Sequence, residues 1–160
     1  MSEKLIAAVY RKDHTTIEKM LADGVSIDAR DEDGRTALMH AVLAEDADPE
    51  MIGFLTRHGA DVNIEDTDQK WTALHFAARD QRAAIVRVLL DTGANVDAQD
   101  SFGNTPLWRC VMNSAPDFEI VKRLLARGAD PNKKNRHGVS PRDTTVNTGN
   151  EELVKVLDSR

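Results

Sequence analysis

The sequence predicts an all-α solenoid, built from stacked helix-turn-helix pairs joined by short β-hairpin-like arms. Three observations predict it. Gly-Ala-Asp or a close variant returns at Gly59-Ala60-Asp61, Gly93-Ala94-Asn95 and Gly128-Ala129-Asp130, with a worn copy at Gly24-Val25-Ser26, so the glycines are spaced 35, 34 and 35 residues apart. A helix start returns in the same register: Thr36-Ala37-Leu38, Thr72-Ala73-Leu74, Thr105-Pro106-Leu107 and Ser140-Pro141-Arg142. Thr or Ser there can cap a helix, and Pro at the first helical position loses no hydrogen bond. Apolar residues between these marks recur at helical intervals. In the clearest unit Leu74, Ala77 and Ala78 form one face, and Ile85, Val86, Val88, Leu89 and Leu90 make the next helix, Arg82 to Asp91, apolar over most of its circumference. Such a pair cannot bury its apolar surface alone and must stack on copies of itself.

Residues 1–30 read as an N-terminal cap. Leu5, Ile6, Ala8 and Val9 form one helical face; Thr15 or Thr16 starts a second helix with Ile17, Met20 and Leu21 inward. Full repeats follow at 31–65, 66–99 and 100–134. Asp31-Glu32-Asp33-Gly34, Asp100-Ser101-Phe102-Gly103 and Asn135-Arg136-His137-Gly138 each suit a type I turn, with Asp or Asn opening and Gly closing. The second repeat breaks this rule: Asp66-Thr67-Asp68-Gln69-Lys70-Trp71 is one residue longer, and Lys70 replaces the glycine. Extra residues also lie between the helices at 44–50 and 113–117. Residues 135–160 read as a C-terminal cap whose first helix carries the polar run Arg142, Asp143, Thr144, Thr145 before the stripe Leu153, Val154, Val156, Leu157.

The period and the T-P-L-H-like starts resemble the ankyrin repeat over nearly the whole chain. The resemblance implies a single domain and a concave face, made of inner helices and arms, that binds other proteins. In that family His at the fourth position of the start ties adjacent loops. Only His75 matches; Met39, Trp108 and Asp143 stand in its place. The third and fourth units are also similar to small bacterial ankyrin proteins, some of which are immunity proteins that neutralise a toxin.

The chain of 160 residues has net charge −6, divided as −8 over residues 1–80 and +2 over 81–160. Such a balance argues against nonspecific nucleic-acid binding and suits a basic protein partner, such as a basic toxin domain. No apolar run approaches a membrane span. The first residues lack a signal peptide's apolar core, so a cytoplasmic location is expected, with the free chain a monomer. The lone Cys110 excludes an intrachain disulfide. His14, His40, His58, His75 and His137 are scattered, with no paired ligand at helical spacing, and no phosphate-binding glycine loop or nucleophile elbow exists. No cofactor, metal or catalytic residue is expected. Lys133, Lys134, Asn135, Arg136 and His137 form a short basic cluster read as a solvated loop.

The expected function is therefore protein binding. On the concave face the resemblance places Arg35, Trp71 and Asn104 before the helix starts, Asp33, Lys70 and Phe102 at arm tips, and Arg79, Asp80, Met112 and Asn113 at the ends of inner helices. Trp71 and Phe102 are expected to anchor one patch, rimmed by Asp66, Asp68 and Asp100. The alternative role is that of a general adaptor or regulatory subunit.

Overall fold

A computed structural model describes residues 2–113 and 115–158. Among these residues the chain forms ten helices and no strand: α1 Ser2–Tyr10, α2 His14–Ala22, α3 Ala37–Leu43, α4 Pro49–Arg57, α5 Ala73–Arg79, α6 Ala83–Asp91, α7 Pro106–Val111, α8 Phe118–Ala126, α9 Pro141–Asn147 and α10 Glu151–Asp158. Each odd helix packs on the even helix that follows it. The odd helices also pack on one another in an inner row, and the even helices from α4 onward form an outer row. The arms are turns, not ladders of strand.

Local chemistry sets most of these starts. The Thr36, Thr105 and Ser140 hydroxyls accept the N–H three residues on, and Asp48 and Asp117 cap α4 and α8. At α2 the cap is Asp13, not Thr15 or Thr16. Its carboxylate accepts both the Thr16 N–H at 3.0 Å and the Thr16 hydroxyl at 2.6 Å, which makes Thr16 the partner of the cap. The helix expected to open at Arg82 begins at Ala83, and the glycine after α6, Gly93, has φ of 94°. The polar run on α9 is accommodated by back-bonding: buried Thr144 and Thr145 donate to the carbonyls of Ser140 and Pro141 at 3.1 and 2.9 Å.

The core is one continuous seam between the two rows, from Leu5 and Ile17 to Leu153 and Leu157. It uses alanine where helices meet closely, with Ala73, Ala77 and Ala78 essentially without exposure. A second seam is polar and links the bends after the outer helices. Asp28 accepts the N–H of Asp61 at 3.1 Å, Asn63 that of Asn95 at 2.7 Å, and Asp97 that of Asp130 at 3.1 Å. Each bond runs from the second residue after one glycine to the fourth residue after the preceding glycine of the series, so the stack advances by one repeated step.

Candidate protein-binding face

The arms are built by their opening residue. Asp31 Oδ1 accepts from the N–H of Asp33 and Arg35, Asp100 Oδ1 from Phe102 and Asn104, and Asn135 Oδ1 from His137 and Val139. In the longer second arm Asp66 Oδ1 takes the N–H groups of Gln69 and Trp71. One backbone bond couples each arm to the next: Thr67 N–H to Asp33, Ser101 to Gln69 and Arg136 to Phe102. Lys70 has φ of 57°, in the region that Gly34, Gly103 and Gly138 occupy in the other arms.

Four of the expected contact residues turn out to serve this frame. Trp71 is 5% exposed, packed at 5.0 Å against the Phe76 ring and covered by the guanidinium groups of Arg79 at 5.0 Å and Arg109 at 4.5 Å. Asp66, Asp100 and Asn104 are buried by the turns they organise. A patch anchored jointly on Trp71 and Phe102 is therefore corrected: the turn folds the indole under the arginines, and Phe102 alone of the two faces solvent, at 49% exposure. Asp33, Asp68, Lys70, Arg79, Asp80 and Met112 are exposed; Arg35 and Asn113 are half-buried. Asn113 also clips two units, donating to the Arg79 carbonyl at 3.2 Å.

The structure adds residues that the periodicity did not single out. His40, Phe76 and Arg109 occupy one position in successive units, and the first and third pair with the arm nine residues upstream. His40 Nε2 lies 2.6 Å from Asp31 Oδ2, and its Nδ1 lies 3.0 Å from the Tyr10 hydroxyl. Arg109 Nε donates to Asp100 Oδ2 at 3.0 Å. Burial pushes the Asp100 carboxyl upward, but the Arg109 guanidinium and the Asn104 and Phe102 N–H groups outweigh it and hold it below the usual range. That recurrent spacing of nine was the available signal. Phe76 has no ionic partner and lies under the guanidinium groups of Arg35 at 5.7 Å and Arg79 at 5.5 Å. The middle of the inner row is thus a layer of aromatic rings backing arginines.

His75 makes the expected tie. It accepts the Thr72 N–H at Nδ1, 3.2 Å away, so Nε2 carries the proton and donates to the Asn104 carbonyl at 3.1 Å. Burial pushes its pKa down to about 4. Burial likewise pushes the Cys110 thiol up to about 12, which leaves it an unreactive core residue. At the N-terminal end a groove of about 420 Å³ is lined by Ile6, Ala7 and Tyr10 and rimmed by Glu3, Asp31, Glu32 and Asp33. Among the described residues no three His, Cys, Asp or Glu groups gather as metal ligands. No helix there is long and apolar enough to cross a membrane.

A family model described as ankyrin repeats in three copies matches residues 4–100 and 42–135. The chain belongs to the ankyrin-repeat family. An ankyrin repeat protein of fowlpox virus is 28% identical over 97% of this chain and 46% of its own length. The intracellular phospholipase A2 of Caenorhabditis elegans is 26% identical over 98% of this chain and 15% of its own length. Human SH3 and multiple ankyrin repeat domains protein 2 is 29% identical over 94% of this chain and 8% of its own length. The ankyrin chain described here spans less than half the length of these relatives.

Proposed function

We propose that this ankyrin domain is a non-enzymatic protein-binding module of the cell interior, acting through the arm tips and inner helices of its second and third repeats. One observation supports the reading above others. At the exposed third position of the regular arms the residue changes from Asp33 to Phe102 to His137, while the opening Asp or Asn and the closing glycine repeat, and Arg79 and Met112 also stand exposed. Constant buried positions with varied exposed ones are what a recognition surface needs. An adaptor role fits relatives in which the matched repeats are a fraction of a longer protein. The lipase name of the nematode relative belongs to a protein of which this chain matches 15%.

A second reading, neutralisation of a basic toxin domain, rests on the net −8 of residues 1–80 and on the carboxylates that rim the N-terminal groove. The fowlpox, nematode and human relatives add nothing to it. One experiment separates the readings. The tagged chain serves as bait, with Phe102→Ala/Met112→Ala as the concave variant and Arg87→Ala on the outer row as control. A partner held by the parent and the control, and released by the concave variant at unchanged melting temperature, supports recognition through this face. Equal retention by all three removes the assignment. Growth rescue on co-expression with a toxic basic partner selects neutralisation.

A further inference from the structure

Lys70 is the one arm position where the chain accepts a side chain in left-handed backbone. At the equivalent positions of the first and third arms a side chain is excluded by the neighbouring arm. A Cβ on Gly34 would lie 2.5 Å from Thr67 Cγ2, and one on Gly103 2.9 Å from the Arg136 nitrogen. The second arm is one residue longer, and in it Lys70 sits at φ of 57°. For a non-glycine residue that conformation costs roughly 1 kcal/mol, so its presence asks for a return.

The return is a cleft of about 250 Å³ between the second, third and fourth arms. Its charged lining is Lys70, Lys134 and Arg136 against Glu65 and Asp100. The Asp100 carboxylate is not available to them: its side chain is fully buried and held by Arg109 and two backbone N–H groups. No hydrogen bond or ion pair within the described residues holds the head groups of Lys70, Lys134 or Arg136, and Asp143 feels Lys134 only through space. Gln99 fixes the walls by donating to the Gly103 carbonyl at 2.8 Å and the Lys134 carbonyl at 3.4 Å. Three cations from two arms, with no hydrogen-bond or ion-pair partner among the described residues, therefore line one concavity, where Glu65 is the accessible carboxylate of the lining and Asp143 lies near Lys134. The basic cluster around residue 134, which the sequence alone reads as a solvated loop, supplies two of them.

We propose that this cleft is an anion-recognition site that takes a carboxylate- or phosphate-bearing side chain of a protein partner. It rests on the protein-binding reading only in naming a protein segment as occupant. The volume lies below the roughly 300 Å³ at which small-molecule pockets begin, which suits one side chain better than a cofactor. The chain's net charge of −6 disfavours a long polyanion, while a single anionic group meets only the local field.

The test titrates the labelled chain with two synthetic peptides of equal charge, one rich in glutamate and one carrying phosphoserine, and with a short single-stranded oligonucleotide, following amide shifts. Peptide-induced shifts centred on Lys70, Lys134 and Arg136 are expected. Lys134→Ala, Arg136→Ala and Lys70→Gly should each weaken peptide binding roughly tenfold, the weight of one charge-assisted contact. Lys70→Gly should melt no lower than the parent, because glycine relieves the left-handed backbone, so its loss of binding reports the missing ammonium and not unfolding. Tighter binding of the phosphopeptide names phosphate as the source, and equal or weaker binding names carboxylate. The idea is overturned if these amides stay still at millimolar peptide, if the three variants bind as the parent does, or if the oligonucleotide binds more tightly than both peptides. Arg87→Ala on the outer row should leave peptide affinity unchanged, and because Phe102→Ala/Met112→Ala is read against a whole partner in the bait experiment, failure of the concave face and failure of the cleft are separate results.

Discussion

At the scale of single residues, the buried imidazole of His75 couples stability to pH. Its pKa is about 4 in the folded chain against an ordinary 6.5. Between those values the unfolded chain holds a proton that the folded chain does not, so stability is lost as pH falls through this window. The loss should approach about 3 kcal/mol by pH 4. Denaturant melts at a series of pH values check it: His75→Gln should flatten the slope between pH 6.5 and 4, and an unaltered slope would mean another group titrates there. Trp71 and Phe102 should part company in the same kind of measurement. Trp71→Ala empties a buried site beneath two arginines and should cost about 3–5 kcal/mol of stability. Phe102→Ala should change stability by no more than about 0.5 kcal/mol. Equal losses in the two would contradict the burial described for them.

At the scale of elements, the arms owe their shape to the residue that opens them and to what the next arm allows. Gly103→Ala drives a methyl group into the Arg136 backbone and also leaves alanine in left-handed backbone, whereas at Gly138, φ 74°, nothing lies within 4 Å. The first change should destabilise by roughly 2–3 kcal/mol and the second by about 1 kcal/mol, read from thermal melts. Helix starts were legible from the Thr and Ser caps because capping is a local bond, decided by residues three apart. The ordering of α3, α5, α7 and α9 followed from the period. The burial of Trp71 was not legible, since it depends on Arg109, 38 positions away, coming to lie over the ring in the next unit. The cap at Asp13 was missed because Asp and Thr compete within one turn, and only geometry shows which accepts. The cleft around Lys70 showed in the sequence only as a missing glycine and a short basic cluster 64 positions on, and nothing local says that the two meet.

At the scale of the whole molecule, charge is graded along the stack, from −8 in the first eighty residues to +2 in the rest. A basic partner should therefore approach the N-terminal units first. Its association rate should fall as salt rises, and Asp68→Ala, an exposed change, should alter that rate more than dissociation. Stopped-flow binding at several ionic strengths would show it, and a salt-independent rate would argue against a basic partner.

The polar seam that links Asp28, Asn63 and Asp97 to the following units has a genetic consequence. Each acceptor meets a donor at the same place in the neighbouring copy, so the bond does not depend on which copy stands next door. A recombination event that removed residues 66–99 would bring the Ser101 N–H to the Asp33 carbonyl, and Asn63 to the N–H of Asp130, like for like. The shortened product should still fold cooperatively with helical circular dichroism, whereas loss of half that span should abolish the transition. Whole units could then be added to or removed from this protein without breaking the seam, whereas a partial unit would leave its acceptors and donors out of register.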